Sequence, residues 1–144
     1  MSGDTFARAS VSAALARRII EGGVDYATET GKAFTIAVVD ESGVLKAIER
    51  MDGAPLISVQ IAQDKAYTAA GFGIPSHAWH DFIKDDPPLA AGAPTGIDRL
   101  VVFGGGFPIV VDGALVGAVG VSGGHYTEDM QVAEAGLSAA GLDG

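Results

Sequence analysis

The chain has 144 residues, contains no cysteine and carries a formal net charge of −9 at pH 7. This length fits a single domain over residues 1–144, and the absence of cysteine excludes disulfides, thiolate metal sites and covalently attached haem. The acidity, with nine scattered basic residues, argues against nucleic acid and anionic membranes as partners. No apolar run reaches the length of a membrane span, and the first ten residues lack the apolar core of a signal peptide. We therefore expect a cytoplasmic protein.

The first half of the chain combines two helix patterns with a hairpin pattern. Residues 9–30 repeat apolar side chains every three or four positions, which predicts an amphipathic helix that ends at Gly31. The β-branched runs AFTIAVVD and VLKAIERM flank the turn sequence DESG and predict a hairpin. Residues 55–70 predict a second helix, since Pro55 suits a first helical turn.

The segment after the second helix predicts a short helix and then a loop. SHAWHDFIKDD has helical character, and Ser76 is the candidate N-cap. Residues 87–99, PPLAAGAPTGIDR, are rich in proline and glycine and predict a loop.

Three strands, LVVFG, PIVVD and ALVGAVGVS, follow this loop. Asp112-Gly113 between the last two is a strong hairpin signal. A final helix begins near Thr127, with Glu128 and Asp129 in its first turn, where the helix dipole favours acids. Hairpins without regular βαβ alternation predict an α+β fold with a five-stranded, mainly antiparallel sheet covered by helices.

The glycine-rich stretch GGGFPIVVDGALVGAVGVSGGHYTEDM matches two catalytic patterns only superficially. Residues 120–124 fit Gly-x-Ser-x-Gly, but a hydrolase of that type needs an acid and then a histidine later in the chain. The one later histidine is His125, three residues after Ser122. Residues 104–106 precede a strand and lack the helix or the lysine that phosphate loops require. The start of the last helix remains open to two interpretations, an anion site or a self-capped terminus.

The three histidines are candidate ligands. His77 and His80 are three residues apart, so a short helix would place both imidazoles on one face, with Asp81 or Asp85 as a third metal ligand. The alternative is an exposed helix or an interface patch. His125 is a candidate metal or haem ligand or a proton shuttle, and the alternative is a side chain that closes its turn by hydrogen bonding.

Two basic residues are candidate binding groups. Arg50 could hold a carboxylate or a haem propionate in bidentate fashion, or it could form a salt bridge with Asp52 or Asp40. Lys65 lies in an otherwise apolar helix, IAQDKAYTAAG. It is either a buried amine or a surface lysine whose stem covers apolar neighbours.

Three segments together resemble a known family. VVDESGVLKAIERMDGA, SVQIAQDKAYTAA and GGGFPIVVDGALVGAVGVSGGHYTEDMQVAEAGLSA are similar to the GlcG/HbpS-type family. This family is also called the haem-degrading or DUF336 domain and includes the C-terminal domain of PduO-type proteins. The resemblance spans roughly residues 8–142. It implies a profilin-like α+β sandwich, and homo-oligomers in which dimers build rings or octamers.

The resemblance leaves two functions open. The first is a haem- or small-ligand-binding protein accessory to a catabolic or redox pathway. Some relatives use a histidine on the first helix as a haem ligand, but residues 9–30 contain none. The candidate axial ligands here are His125, His77 and His80, with Thr95 as an oxygen ligand.

The second function is a cofactor-free enzyme of the isomerase, hydratase or lyase type, acting on a small carboxylated or carbonyl metabolite. His125 would move the proton, Arg50 would hold the carboxylate, and the amides of Gly105, Gly106 and Gly124 would stabilise an oxyanion. The full set of predicted ligand-binding residues is Arg50, Met51, Lys65, Thr95, Gly105, Gly106, Pro108, Gly124, His125 and Tyr126.

Overall fold

The computed structural model describes residues 3–142, and this range forms a four-stranded antiparallel sheet with five helices. The elements are α1 (Ala13–Thr30), β1 (Thr35–Asp40), β2 (Leu45–Arg50), α2 (Ser58–Phe72), α3 (Ala78–Ile83), α4 (Pro87–Gly96), β3 (Gly106–Val111), β4 (Ala114–Ser122) and α5 (Tyr126–Ala139). The strand order is β2-β1-β4-β3, and every neighbouring pair is antiparallel. The predicted α+β class and both predicted hairpins are confirmed. None of the helices in this range has the length and apolarity that a membrane crossing requires.

The prediction of a fifth strand is wrong, because LVVFG forms no strand. The backbone of this segment bonds to a helix side chain instead of a neighbouring strand. The amide of Val101 donates to Thr68 Oγ1 at 3.0 Å, and the Thr68 hydroxyl donates to the carbonyl of Arg99 at 3.0 Å. The apolar side chains of the segment are also used elsewhere: Leu100 and Val102 pack against the buried cluster of Trp79, Ile83 and Ala93.

The predicted loop over residues 87–99 is also wrong, since most of it is the helix α4. Asp86 caps this helix by accepting a hydrogen bond from the amide of Leu89 at 3.3 Å. Pro87 and Pro88 occupy the first helical positions, where a missing N–H costs nothing because no partner exists there. The prolines that suggested a loop therefore mark a helix start.

Smaller corrections concern the helix starts. Ser12 caps α1 through the amide of Leu15 at 3.0 Å, so α1 begins four residues later than predicted, and it ends at Gly31 as expected. Pro55 precedes α2 rather than lying in its first turn. Ser76 does not cap α3; its hydroxyl donates to Phe103 O at 2.7 Å and accepts from Gly106 N at 2.9 Å.

Helices cover both faces of the sheet, and the side chains of β1 point alternately to the two faces. Ile36 and Val38 point into the main core that α1 and α5 cover, whereas Val39 belongs to a second core under α2. Successive side chains of a strand point to opposite faces, so β1 serves both layers. It is accordingly buried on both sides, as its apolar sequence TIAVVD requires.

Small residues let α2 lie very close to β4. A Cβ added at Gly120 would fall 2.0 Å from Ala62 O and 2.5 Å from Ala66 N, both backbone atoms of α2. No side chain fits there, so glycine is required by the close approach. This packing brings Lys65 of α2 to the end of β4.

Candidate functional site

A small pocket forms where the start of α2, the end of β4 and the start of α5 meet. Its volume is about 240 Å³. We call it the Lys65 pocket, and it is lined by Pro55, Ile57, Ser58, Ile61, Lys65, Phe103, Ser122, Gly123, Gly124, Tyr126 and Asp129.

A buried ion pair lies at this pocket. The side chains of Lys65 and Asp129 are 0% and 2% exposed, and Lys65 Nζ is 2.7 Å from Asp129 Oδ2. Lys65 Nζ also donates to the carbonyl of Val121 at 2.9 Å. Asp129 Oδ1 accepts from the amide of Gly124 at 3.0 Å. Both charged groups are therefore held in place by the ends of β4 and α5.

Burial shifts the two groups toward a common neutral state. Desolvation lowers the pKa of Lys65, and the nearby Asp129 carboxylate opposes this shift only in part. Desolvation likewise raises the pKa of Asp129 against the opposing effect of Lys65. Each charged form loses solvation in the interior, so burial favours the neutral form of both groups, while their mutual attraction favours the ion pair.

The rest of the pocket combines two hydroxyls with apolar walls. The Ser58 hydroxyl is 2.8 Å from Thr35 Oγ1 and donates to the carbonyl of Pro55 at 2.5 Å. Ser122 is buried at the end of β4. The Phe103 ring centre is 5.1 Å from Lys65 Nζ, and this ring is partly exposed. Polar groups on one side of the pocket and the Phe103 ring on another suit a small ligand with one oxygen-bearing end.

Gly105 belongs to the setting of Lys65. Its φ of +128° is unfavourable for other residues, and a Cβ there would lie 2.7 Å from Lys65 Nζ. Its carbonyl accepts from the amide of Val121. The predicted oxyanion site does not assemble, because the amide of Gly106 already donates to Ser76 Oγ and that of Gly124 donates to Asp129.

His125 caps α5 and does not line the Lys65 pocket. Its Nδ1 accepts from the amide of Thr127 at 3.3 Å, and its own amide donates to Glu128 Oε1 at 3.1 Å. The pKa of the Glu128 carboxyl is lowered by its hydrogen bond with Lys32 and by this His125 amide. The imidazole is exposed and stacks on Tyr126 with 4.1 Å between ring centres. These contacts match the turn-closing alternative.

Arg50 and Met51 lie at a different surface. Arg50 Nε and Nη2 donate to the carbonyl of Ala54 at 3.2 and 2.9 Å, and among the described residues no ion pair joins it to Asp52 or Asp40. Together with Met51 it borders a separate shallow depression. The predicted catalytic pair of Arg50 and His125 therefore does not meet at the Lys65 pocket.

The other predicted ligands are also dispersed. His77 is half-buried, with its ring centre 5.7 Å from that of Phe107, and His80 is exposed. Within residues 3–142, no group of three or more His, Asp and Glu side chains could hold a metal ion. Thr95 is exposed on α4 and bonds to Ala91 O, and Pro108 lies in β3 opposite Ala118.

A second, larger pocket of about 430 Å³ has a different character. It is lined by Tyr67, Thr68, Gly71, Phe72, Trp79, Ile97, Asp98 and Leu100. The indole N–H of Trp79 is buried and has no acceptor in the described part of the chain. Asp98, the one acid in this lining, is exposed, and among the described residues no buried ion pair borders this larger pocket. Perturbed, charged groups at a pocket are the better indication of a functional site, so we take the Lys65 pocket as the candidate.

As residues 3–142 of the single chain form them, the two pockets offer haem iron a tyrosine but no histidine. A haem protein normally presents an imidazole, thiolate, thioether or phenol to the iron. In the described part of the chain, neither pocket is lined by a histidine, whereas Tyr67 lines the larger pocket and Tyr126 lines the Lys65 pocket.

Asp129 is the candidate site residue that the sequence interpretation missed. In the sequence, its place in the first turn of the last helix is accounted for by the helix dipole, which favours acids there. The sequence pattern indicates no basic side chain as its partner. The signal was Lys65 itself, since a lysine on a buried alanine face needs a counter-charge. The sequence pattern alone does not say which acid supplies it.

Comparison with known proteins places the chain in a family. The model of the haem-degrading protein HbpS-like family matches residues 11–138. Protein GlcG of Escherichia coli is 37% identical over 112 residues, which cover 78% of this chain and 81% of GlcG. The crystal structure of Klebsiella pneumoniae ORFY, from DUF336, superposes with a TM-score of 0.90 at 28% identity, over 98% of this chain and 97% of that one. The crystal structure of a PduOC–haem complex superposes with a TM-score of 0.81 at 27% identity, over 90% and 94%. The predicted resemblance is thus confirmed, and the chain belongs to the HbpS-like family.

Proposed function

We propose that this protein binds a small carboxylated or carbonyl metabolite in the Lys65 pocket. The observation that carries the proposal is the buried Lys65–Asp129 pair at the wall of a concave site. A buried ion pair is a weak source of stability, since apolar residues of similar volume often serve the fold as well or better. Its location at a pocket therefore favours a role in binding.

The pocket chemistry defines the ligand class. A protonated lysine has three N–H donors, of which two bind Val121 O and Asp129. The third can bind a ligand oxygen, and Ser122 is another hydrogen-bonding residue in the pocket lining. Ligand pockets for drug-sized molecules span about 300–1,000 Å³. The smaller volume of about 240 Å³ selects a compound of a few heavy atoms.

Thermal unfolding with a panel of small acids, aldehydes and ketones tests this proposal. A ligand at one hundred times its Kd stabilises the native state by about 2.7 kcal/mol, which raises Tm measurably. The shift should persist in Arg50→Ala, because Arg50 lies outside the pocket. It should vanish in the double variant Lys65→Met/Asp129→Leu, which replaces the pair by apolar groups. An equal shift in the double variant would place the ligand elsewhere.

Haem binding is the second candidate function, and the haem complex of the related PduOC chain favours it. Among the described residues neither pocket is lined by a histidine, so a histidine-ligated haem would need a surface outside them. A haem titration of the purified protein by visible absorption tests this. Saturation at a fixed haem-to-chain ratio, lost in His125→Ala or His77→Ala, would support specific binding. A broad change that does not saturate would exclude it.

We further propose that the protein forms homo-oligomers, built from dimers and up to octamers. Several large apolar side chains are exposed on the isolated chain, among them Leu56 (81%), Ile57 (68%) and Phe72 (58%). Exposed apolar groups of this size are often covered by a partner. Light scattering coupled to size exclusion tests the assembly, and a monomeric mass at micromolar concentration would refute it. The accessory role in catabolism and the cytoplasmic location stay predictions.

A further inference from the structure

We propose that Lys65 reacts with the aldehyde or ketone group of its ligand and forms an imine. This inference rests on the proposed function, because it uses the Lys65 pocket and names the ligand class as carbonyl compounds. Arg50 and His125, which the sequence predicted as catalytic groups, take no part in it.

The geometry around Lys65 Nζ is that of a positioned nucleophile. Lys65 is among the pocket-lining residues although its side chain is 0% exposed, and the two hydrogen-bond acceptors of Nζ, Val121 O and Asp129 Oδ2, lie 2.9 and 2.7 Å away. The carboxyl group of Asp129 is itself oriented by the amide of Gly124. A carbonyl carbon that reaches the amine therefore finds a proton donor and acceptor directly beside it.

The amine is also set apart from the other lysines by its environment. Only a neutral amine attacks a carbonyl, and burial lowers the pKa of Lys65 while it raises that of Asp129. Lys32, Lys46 and Lys84 are the other three lysines of the chain, and all are exposed. Two of them pair with surface acids, Lys32 with Glu128 and Lys84 with Asp81.

The step balances with the groups present. The lone pair of Nζ attacks the carbonyl carbon, and the carbonyl oxygen takes a proton from the Asp129 carboxylic acid. The resulting carbinolamine loses a proton from nitrogen to the Asp129 carboxylate. The hydroxyl group then leaves as water with a proton returned by Asp129, and a carbon–nitrogen double bond forms. The amine and the carbonyl compound yield one imine and one water, with no oxidant, reductant or cofactor.

The partly exposed Phe103 ring lies between Lys65 Nζ and solvent in this proposal, since it is the aromatic member of the pocket lining beside the amine. Its centre is 5.1 Å from Nζ, and it belongs to the segment of residues 100–104 that forms no strand. A side-chain rotation there opens the amine without breaking a sheet hydrogen bond. Entry of the carbonyl compound therefore requires a rotamer change rather than unfolding.

Reductive trapping of the wild-type protein tests the proposal. The protein is incubated with propanal or pyruvate and cyanoborohydride at pH 7, and digested peptides are mapped by mass. We expect one alkyl group per chain, on Lys65, formed at least tenfold faster than on Lys32, Lys46 or Lys84. Modification confined to the three exposed lysines, or equal on all four, would overturn the proposal. Asp129→Asn should slow trapping at Lys65 and leave the other three sites unchanged.

A matched ligand without a carbonyl separates this inference from the proposed function. Lactate has the size and charge of pyruvate but forms no imine. If lactate and pyruvate both raise Tm and no adduct is trapped on Lys65, the pocket binds ligands and the imine proposal fails. If no member of the panel raises Tm and nothing is trapped, both fail. Trapping on Lys65 that excess lactate suppresses supports both.

Discussion

The Lys65–Asp129 pair makes the strongest quantitative prediction of this structure. Asp129→Asn removes the negative charge but keeps the shape, so it leaves Lys65 buried without a counter-ion. Removal of one partner from a buried pair costs about 3–5 kcal/mol, and these side chains are 2% and 0% exposed. We therefore expect a loss of that size from the free energy of unfolding at pH 7, measured by urea denaturation with an unchanged m-value.

The double variant Lys65→Met/Asp129→Leu should recover most of this loss. It replaces both charges by apolar groups of similar volume, so no charge remains to be desolvated. The double-mutant cycle should accordingly give a strongly non-additive result. A stability loss below about 1 kcal/mol in Asp129→Asn would refute this reasoning, because an unpaired buried charge usually costs more. A double variant whose stability loss equals the sum of the two single-variant losses would refute it as well.

The pH dependence of Asp129→Asn provides an independent check. Without the opposing attraction, burial alone acts on Lys65 and lowers its pKa further below the ordinary value of 10.5. Between this lowered pKa and 10.5 the unfolded chain binds more protons than the folded one, so stability rises with pH. The variant should thus regain stability from neutral pH toward pH 10, relative to the double variant. A fall over this range would contradict a buried, neutral amine.

Three further predictions concern local structure. Gly120→Ala should lower the free energy of unfolding by about 1–3 kcal/mol or more through overpacking, because the new Cβ meets Ala62 O. Gly92→Ala is the matched control, since its Cβ meets nothing within 4 Å, and it should stabilise α4 by up to about 1 kcal/mol. Urea denaturation measures both variants. His125→Ala should cost about 1 kcal/mol as a lost cap while the Tm shift caused by pyruvate persists; loss of that shift would make His125 a ligand-binding group. Asp86→Ala should cost about 0.5–2 kcal/mol, and an unchanged unfolding midpoint would refute its capping role.

The sequence predicted those elements whose local signals agree with their tertiary use. Asp112-Gly113 has φ values of +51° and +79°, as the two-residue hairpin turn requires. The segment LVVFG shows where this agreement ends. Its β-branched residues favour a strand, but Thr68 binds its backbone and the cluster around Trp79 buries its side chains. Long-range competition of this kind leaves no mark in a local pattern.

The candidate site was predicted only in part for the same reason. Lys65, Gly124 and Tyr126 were identified as ligand-binding candidates, and all three line one pocket. Arg50 and His125 had equally suitable chemistry, but each is used locally, one on Ala54 O and the other as a helix cap. Residue type predicts what a side chain can bind, whereas the fold decides which acceptor it meets first.

The close packing of α2 on β4 determines both the stability of the fold and the position of Lys65 in the candidate site. The absence of a side chain at Gly120 allows the backbone of α2 to approach β4, and the same approach places Lys65 Nζ against the carbonyl of Val121, the next residue of β4. A larger residue at position 120 would push α2 outward and draw the amine away from this acceptor and from Asp129. Overpacking at Gly120 should therefore weaken ligand binding as well as stability. A substitution that destabilises α4 far from this contact should lower stability alone.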